Sequence, residues 1–91
     1  MKALDPEVKR SLINRLRRIE GQARGIQRML EEDRDCQEVL AQLVAMREAT
    51  NRVGMQALGC QLGADVQAEV AGGGTGEDAI ARVVEQFLKF T

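Results

Sequence analysis

The chain has 91 residues, 44% of them hydrophobic and 30% charged, with no His, Trp or Tyr and with Phe87 and Phe90 as its only rings. That is the length of one domain, residues 1–91, whose modest core invites self-association; the lack of His excludes a His-based zinc site, a Ser/His triad and a His general base. The net charge of −1 argues against bulk attraction to nucleic acid, but it conceals an uneven distribution: Val8 to Arg28 carries seven cations and one anion, Glu20, whereas residues 35–91 carry four cations and eight anions.

In chain order, Pro6 suits the first turn of a helix and Asp5 its N-cap. Leu12, Leu16, Ile19, Ala23, Ile26 and Leu30 follow at alternating spacings of four and three. This predicts an amphipathic helix over about 6–32. Gly21 and Gly25 lie within it, each costing about 1 kcal/mol relative to Ala while allowing close helix approach. Glu31, Glu32 and Asp33 lead out, at the helix end where anions are least favourable.

A second stripe, Cys36, Val39, Leu43, Met46, Thr50, Val53, Ala57 and Cys60, is widened by Leu40, Leu58, Leu62 and Val66. It predicts a long helix over about 36–69, weakened in its later half by Gly54, Gly59 and Gly63. Residues 71–76 form a flexible break. The glycines there follow a helix and lack the Lys-Ser/Thr of a P-loop, so a hinge is expected rather than a phosphate cradle. Ile80, Val83, Val84, Phe87 and Leu88 predict a short third helix over about 77–90, with Thr75 as a candidate cap. The expected fold is all-α, with three helices per chain and no strand.

The second helix would outreach any partner in its own chain. An antiparallel homodimer would bury both stripes, with a dimer of dimers as a further level. No apolar stretch approaches the ~20 residues of a membrane span. No apolar signal-peptide core is present either, so the cytoplasm is the expected location and thiols the expected state of Cys36 and Cys60. On one continuous helix those cysteines, 24 residues apart, would lie about 36 Å from each other. A disulfide needs less than about 7 Å between Cα atoms, which excludes an intrachain bond. In an antiparallel pair, Cys36 of one chain approaches Cys60 of the other. Two such thiols could bind copper(I) or form a disulfide or polysulfide bridge. The bland alternative is two small apolar core residues. Met29, Met46 and Met55 read as core filler.

Arg15-Leu16-Arg17-Arg18-Ile19-Glu20-Gly21-Gln22, Arg24-Gly25-Ile26, Met29, Glu31-Glu32-Asp33, Cys36, Val39-Leu40 and Gln42 closely resemble the copper-sensing operon repressor (CsoR) family. The resemblance covers nearly the whole chain. It implies an all-helical bacterial repressor that binds operator DNA and responds to copper(I), nickel or cobalt, formaldehyde, or sulfane sulfur. It also implies an effector site between subunits, with Cys36 facing ligands on the second helix of the partner. Counted without gaps from Cys36, the family's His position falls on Gln61 and its second Cys position on Asp65. Two of the three copper ligands are thus replaced, and Cys60 stands one residue before the His position.

With that resemblance, Lys9, Arg10, Arg15, Arg17, Arg18, Arg24 and Arg52 are the candidate DNA contacts. Arg makes bidentate phosphate and guanine contacts that Lys does not, and part of the specificity can come from DNA shape. Cys36 and Cys60 are the candidate effector thiols, and copper(I) is a candidate ligand with Gln61 and Asp65 as further donors. Gln61 and Asp65 share a face at i,i+4, and a solvated polar edge is an equally good account of them. The alternative function is a thiol-based copper(I)-binding or sulfur-carrying helical protein that does not bind DNA; inert thiols in a purely structural dimer are a third reading. No acid/base pair or triad suggests an enzyme.

Overall fold

The computed structural model describes residues 5–91, and these form three helices: α1 (Pro6–Glu31), α2 (Cys36–Ala71) and α3 (Glu77–Phe90). There is no strand among them. The expected boundaries agree to within two residues, and α2 runs unbroken through Gly54, Gly59 and Gly63. No helix among the described residues is long and apolar enough to cross a membrane. Packing divides the chain into two compact units, Pro6–Val53 and Gly54–Thr91.

In the first unit, α1 starts on Pro6, where the missing N–H costs nothing. Leu12 and Ile26 of its apolar stripe are buried, as is Val39 of α2. The end of α1 is closed by two backbone bonds, Arg34 N–H to the Met29 carbonyl (2.9 Å) and Asp33 N–H to the Leu30 carbonyl (3.2 Å). This is the Schellman arrangement, which needs a left-handed residue. Asp33 supplies it at φ 55°, a conformation that Asp tolerates better than most residues. The acidic run at the helix end is therefore partly a turn signal. Two residues on, the Asp35 carboxylate accepts the Gln37 N–H at 3.2 Å. Asp35 thereby caps α2 and makes Cys36 its first helical residue. Arg34 donates to Glu38 at 2.9 Å across the same turn, an exposed pair of small energetic weight.

In the second unit, α2 ends by the same device. Gly74 N–H bonds the Glu69 carbonyl (2.9 Å) and Gly73 N–H the Val70 carbonyl (3.0 Å), with Gly73 left-handed at φ 93°. The N-cap of α3 is Gly76, φ 91°, which has no side chain to offer. Thr75 lies one residue earlier, its hydroxyl 3.4 Å from the Glu77 N–H. The Glu69 carboxylate on α2 does more: it accepts the Ala79 N–H at 3.2 Å, satisfying an orphan donor of the first turn. Ala79 and Val83 are the buried residues of α3.

Gly54 is used by α3 rather than merely tolerated in α2. A Cβ built at Gly54 would fall inside the Phe90 ring. The bare backbone is the seat of that ring, and the glycine's low helix propensity is offset by the contact it permits. Gly54→Ala is therefore expected to displace the Phe90 ring and to lower the unfolding free energy by about 0–2 kcal/mol, the overpacking cost of about 1–3 kcal/mol less the ~1 kcal/mol gained in helix propensity. Urea denaturation measures this. The double variant with Phe90→Ala should be less than additive, because removing the ring removes the clash.

Candidate functional site

Two groups of side chains stand out, the cations of α1 and the thiols of α2. In the Pro6–Val53 unit, Lys9, Arg10, Arg15, Arg17, Arg18 and Arg24 are all exposed, as is Arg52 on α2. Among the described residues, none of the α1 cations is held in a salt bridge; the ion pairs present involve Arg34 and Lys89. The guanidinium groups of α1 are thus uncommitted. Amphipathicity explains most of this placement: Leu12 and Ile26 turn inward, which leaves Arg10, Arg17 and Arg24 on the far side, Arg18 on the flank and Arg15 beside the packed face.

Two shallow grooves run along this surface. One, of about 290 Å³, is lined by Lys9, Arg10, Asn14 and Arg17 together with Pro6 and Ile13. The other, of about 360 Å³, is lined by Arg10, Asn14, Arg15 and Arg18 together with Glu7 and Ser11. Arg10 and Asn14 are the residues common to both.

Both cysteines are free thiols. Cys36 belongs to the Pro6–Val53 unit and Cys60 to the Gly54–Thr91 unit. Cys36 is exposed at the start of α2 and Cys60 is half-buried, so neither is a fully enclosed core residue. Asp35, the cap of α2, immediately precedes Cys36, a role that the Asp-Cys order alone does not reveal.

Gln61 and Asp65 are brought together. The Gln61 amide donates to both carboxylate oxygens of Asp65, at 2.9 and 3.0 Å. The two residues are the i,i+4 neighbours expected from their spacing, joined through the Gln61 amide N–H₂. Among the described residues, no three Cys, Asp or Glu side chains gather closely enough to hold a metal ion. Among the described residues, the side-chain oxygen of Gln22 on α1 is shielded from solvent without a hydrogen-bond partner.

Similarity to known proteins agrees with this arrangement. Residues 8–90 match the family described as metal-sensitive transcriptional repressor. The chain is 42% identical over 83 residues to the copper-sensing transcriptional repressor CsoR of Bacillus subtilis, covering 91% of this chain and 81% of that protein. It is 46% identical over 78 residues to the copper-sensing transcriptional repressor RicR of Mycobacterium tuberculosis, covering 77% and 81%. Among solved structures, the copper-sensing repressor CsoR with Cu(I) from Geobacillus thermodenitrificans superposes with a TM-score of 0.81 at 33% identity, covering 99% of this chain and 93% of that one. The nickel-responsive transcriptional regulator InrS superposes with a TM-score of 0.79 at 33% identity, covering 100% and 99%. Matched over nearly its whole length in both sequence and fold, the chain belongs to the metal-sensitive transcriptional repressor family, that of the copper sensor CsoR.

Proposed function

We propose that this protein is an operator-binding repressor that works as an antiparallel homodimer, pairing further to a tetramer on DNA, and that a soft, thiol-directed effector acting on Cys36 and Cys60 of two different copies releases it. The observation that carries the DNA-binding part is the row of exposed, unpaired arginines on α1. Lys9, Arg10, Arg15, Arg17, Arg18 and Arg24, with Arg52, are the phosphate and base contacts in this reading. The acidic remainder of the chain keeps the net charge near zero without neutralising that surface.

Self-association is supported by what one chain leaves uncovered. In the Pro6–Val53 unit Leu30 is 59% exposed and Leu40 60%, and Leu16, Leu43 and Val44 are exposed as well; in the Gly54–Thr91 unit, taken by itself, Leu88 is 68% exposed. Such a spread of exposed aliphatic side chains marks an interaction surface. The whole chain, residues 1–91, then acts as one DNA-binding domain within the oligomer. Sedimentation at micromolar concentration is expected to find no folded monomer; a stable helical monomer contradicts the dimer.

The donor set limits the effector. Nickel and cobalt sites want imidazole, and the chain has no His. Gln61 and Asp65 are hydrogen-bonded to each other, and neither is a soft ligand. What remains is a pair of thiols, which suits sulfane sulfur or an oxidant. In that chemistry the Cys36 thiolate attacks the terminal sulfane sulfur of a polysulfide. A Cys36 persulfide forms and the shortened polysulfide leaves. The Cys60 thiolate of the second copy then attacks the Cys36 sulfur, forming the disulfide and expelling hydrosulfide. The two thiols are oxidised and one sulfane sulfur is reduced. Copper(I) held linearly by the same two thiolates is the second reading, favoured by the three copper-sensing relatives. Either effector derepresses only by binding or trapping the DNA-incompetent state more strongly.

Two measurements test these parts. Arg18→Ala should weaken duplex binding and lower the slope of log affinity against log salt by about one for each Arg18 that meets a phosphate, with the oligomer intact. Unchanged affinity and slope across the Arg15, Arg17 and Arg18 variants overturn the DNA surface. The DNA complex is then treated separately with copper(I) and with polysulfide, and the products are read by intact mass. Release by polysulfide with an intersubunit Cys36–Cys60 link supports the sulfur reading. Release by copper(I) alone, or a polysulfide response that survives Cys36→Ala, replaces it with copper.

A further inference from the structure

The geometry points to Asn14 as the base-reading residue of the α1 surface, taking up an adenine edge in the major groove of duplex DNA. This rests on the DNA-binding reading above and adds to it where sequence is read. The cations of α1 surround one neutral, exposed amide. Viewed down the helix at about 100° per residue, Arg10 and Arg17 lie about 40° and 60° to one side of Asn14, while Arg18 and Arg15 lie about 40° and 100° to the other. Buried Leu12 is about 160° away and buried Ile26 about 120°, so Asn14 points away from the packed face.

The surface relief agrees with this wheel. Asn14 and Arg10 form the ridge between the two shallow grooves, with Lys9 and Arg17 along one and Arg15 and Arg18 along the other. An α-helix with its side chains is about 10–12 Å across, and the major groove of B-DNA is about 12 Å wide. A helix entering along this ridge brings one cationic row to each bounding phosphate strand. The ridge itself then faces the base edges. At its crest stands a carboxamide whose N–H₂ and carbonyl match the N7 acceptor and N6 donor of adenine in a bidentate pair.

Two further facts support a role in recognition. Among the described residues the Asn14 carboxamide has no hydrogen-bond partner, so its donor and acceptor are available together. Asn is also among the weaker helix formers, and it occupies an exposed mid-helix position where nothing in the fold calls for it. The arginines flanking it are long and flexible and serve phosphates of any sequence; the short amide serves only what lies directly beneath it.

The test uses the full-length protein and a pool of duplexes with a randomised central segment. Wild type, Asn14→Ala and Asn14→Gln are each taken through selection, and affinities are then measured for the selected duplex and for an unrelated one across a salt series. Wild type should enrich adenine at one position in each half-site. Asn14→Ala should lose that preference alone and bind the selected duplex about 5- to 150-fold more weakly, the discrimination that one bidentate base contact supplies. Its affinity for the unrelated duplex and its salt slope should stay as in wild type, because no charge is removed. Retention of the adenine preference by Asn14→Ala, equal weakening on both duplexes, or selection of no base by wild type that still binds DNA each overturns the inference while leaving the repressor reading standing. Failure of wild type to bind any duplex in a salt-dependent way removes the repressor reading, and this inference with it.

Discussion

A helix of 36 residues carries most of what this protein must solve. The apolar side chains of α2 are spread around its circumference rather than gathered on one face. Leu40, Leu43, Val44, Met55 and Val70 of α2 stay exposed, so helices of 26 and 14 residues leave part of its apolar surface uncovered. Every other feature follows from that shortfall. The exposed aliphatic residues of α1 and α2 and the half-buried thiol of Cys60 are consistent with surfaces awaiting a second copy. Effector chemistry placed on α2 would then act where the oligomer is joined, and this couples a small ligand to the whole assembly.

The charges are arranged so that this enclosure and DNA binding do not compete. The inward face of α1 is aliphatic and its outward face is guanidinium-rich, and the division follows directly from the 3.6-residue period. Anions are sparse along α1, where Glu7 and Glu31 sit at the two ends and Glu20 alone lies between them; most are in the turn, α2 and α3. Had they been interleaved along α1 at i,i+4, the arginines would be paired within the helix and less available to phosphate. A net charge of −1 is therefore compatible with a strongly cationic binding face, and it keeps nonspecific attraction through the rest of the surface low.

Gln61 and Asp65 occupy consecutive turns of α2 and are joined through the Gln61 amide N–H₂ alone, which leaves the Gln61 carbonyl oxygen open. In the proposed reading the thiols of Cys36 and Cys60 are the reactive groups. Soft sulfur chemistry on a helical scaffold needs only that two of them meet, and an antiparallel arrangement of α2 can bring an early cysteine to a late one.

The helices, their limits and the cationic side of α1 could be read in the sequence, because each depends on local periodicity and on short-range capping and turn chemistry. The i,i+4 pairing of Gln61 with Asp65 was legible for the same reason. Three features were not. Asp33 reads as part of an unfavourable acidic run, yet it is the left-handed residue that closes α1. Gly54 reads as a weak point of α2, yet it seats Phe90. Thr75 reads as the cap of α3, yet Glu69, ten residues before Ala79, accepts the orphan N–H. In the last two the deciding partner lies in another helix. A sequence states which groups are available within a turn of one another. Which glycine receives a ring and which carboxylate reaches across to a neighbouring helix are set by the packing of helices, and only the tertiary structure decides that.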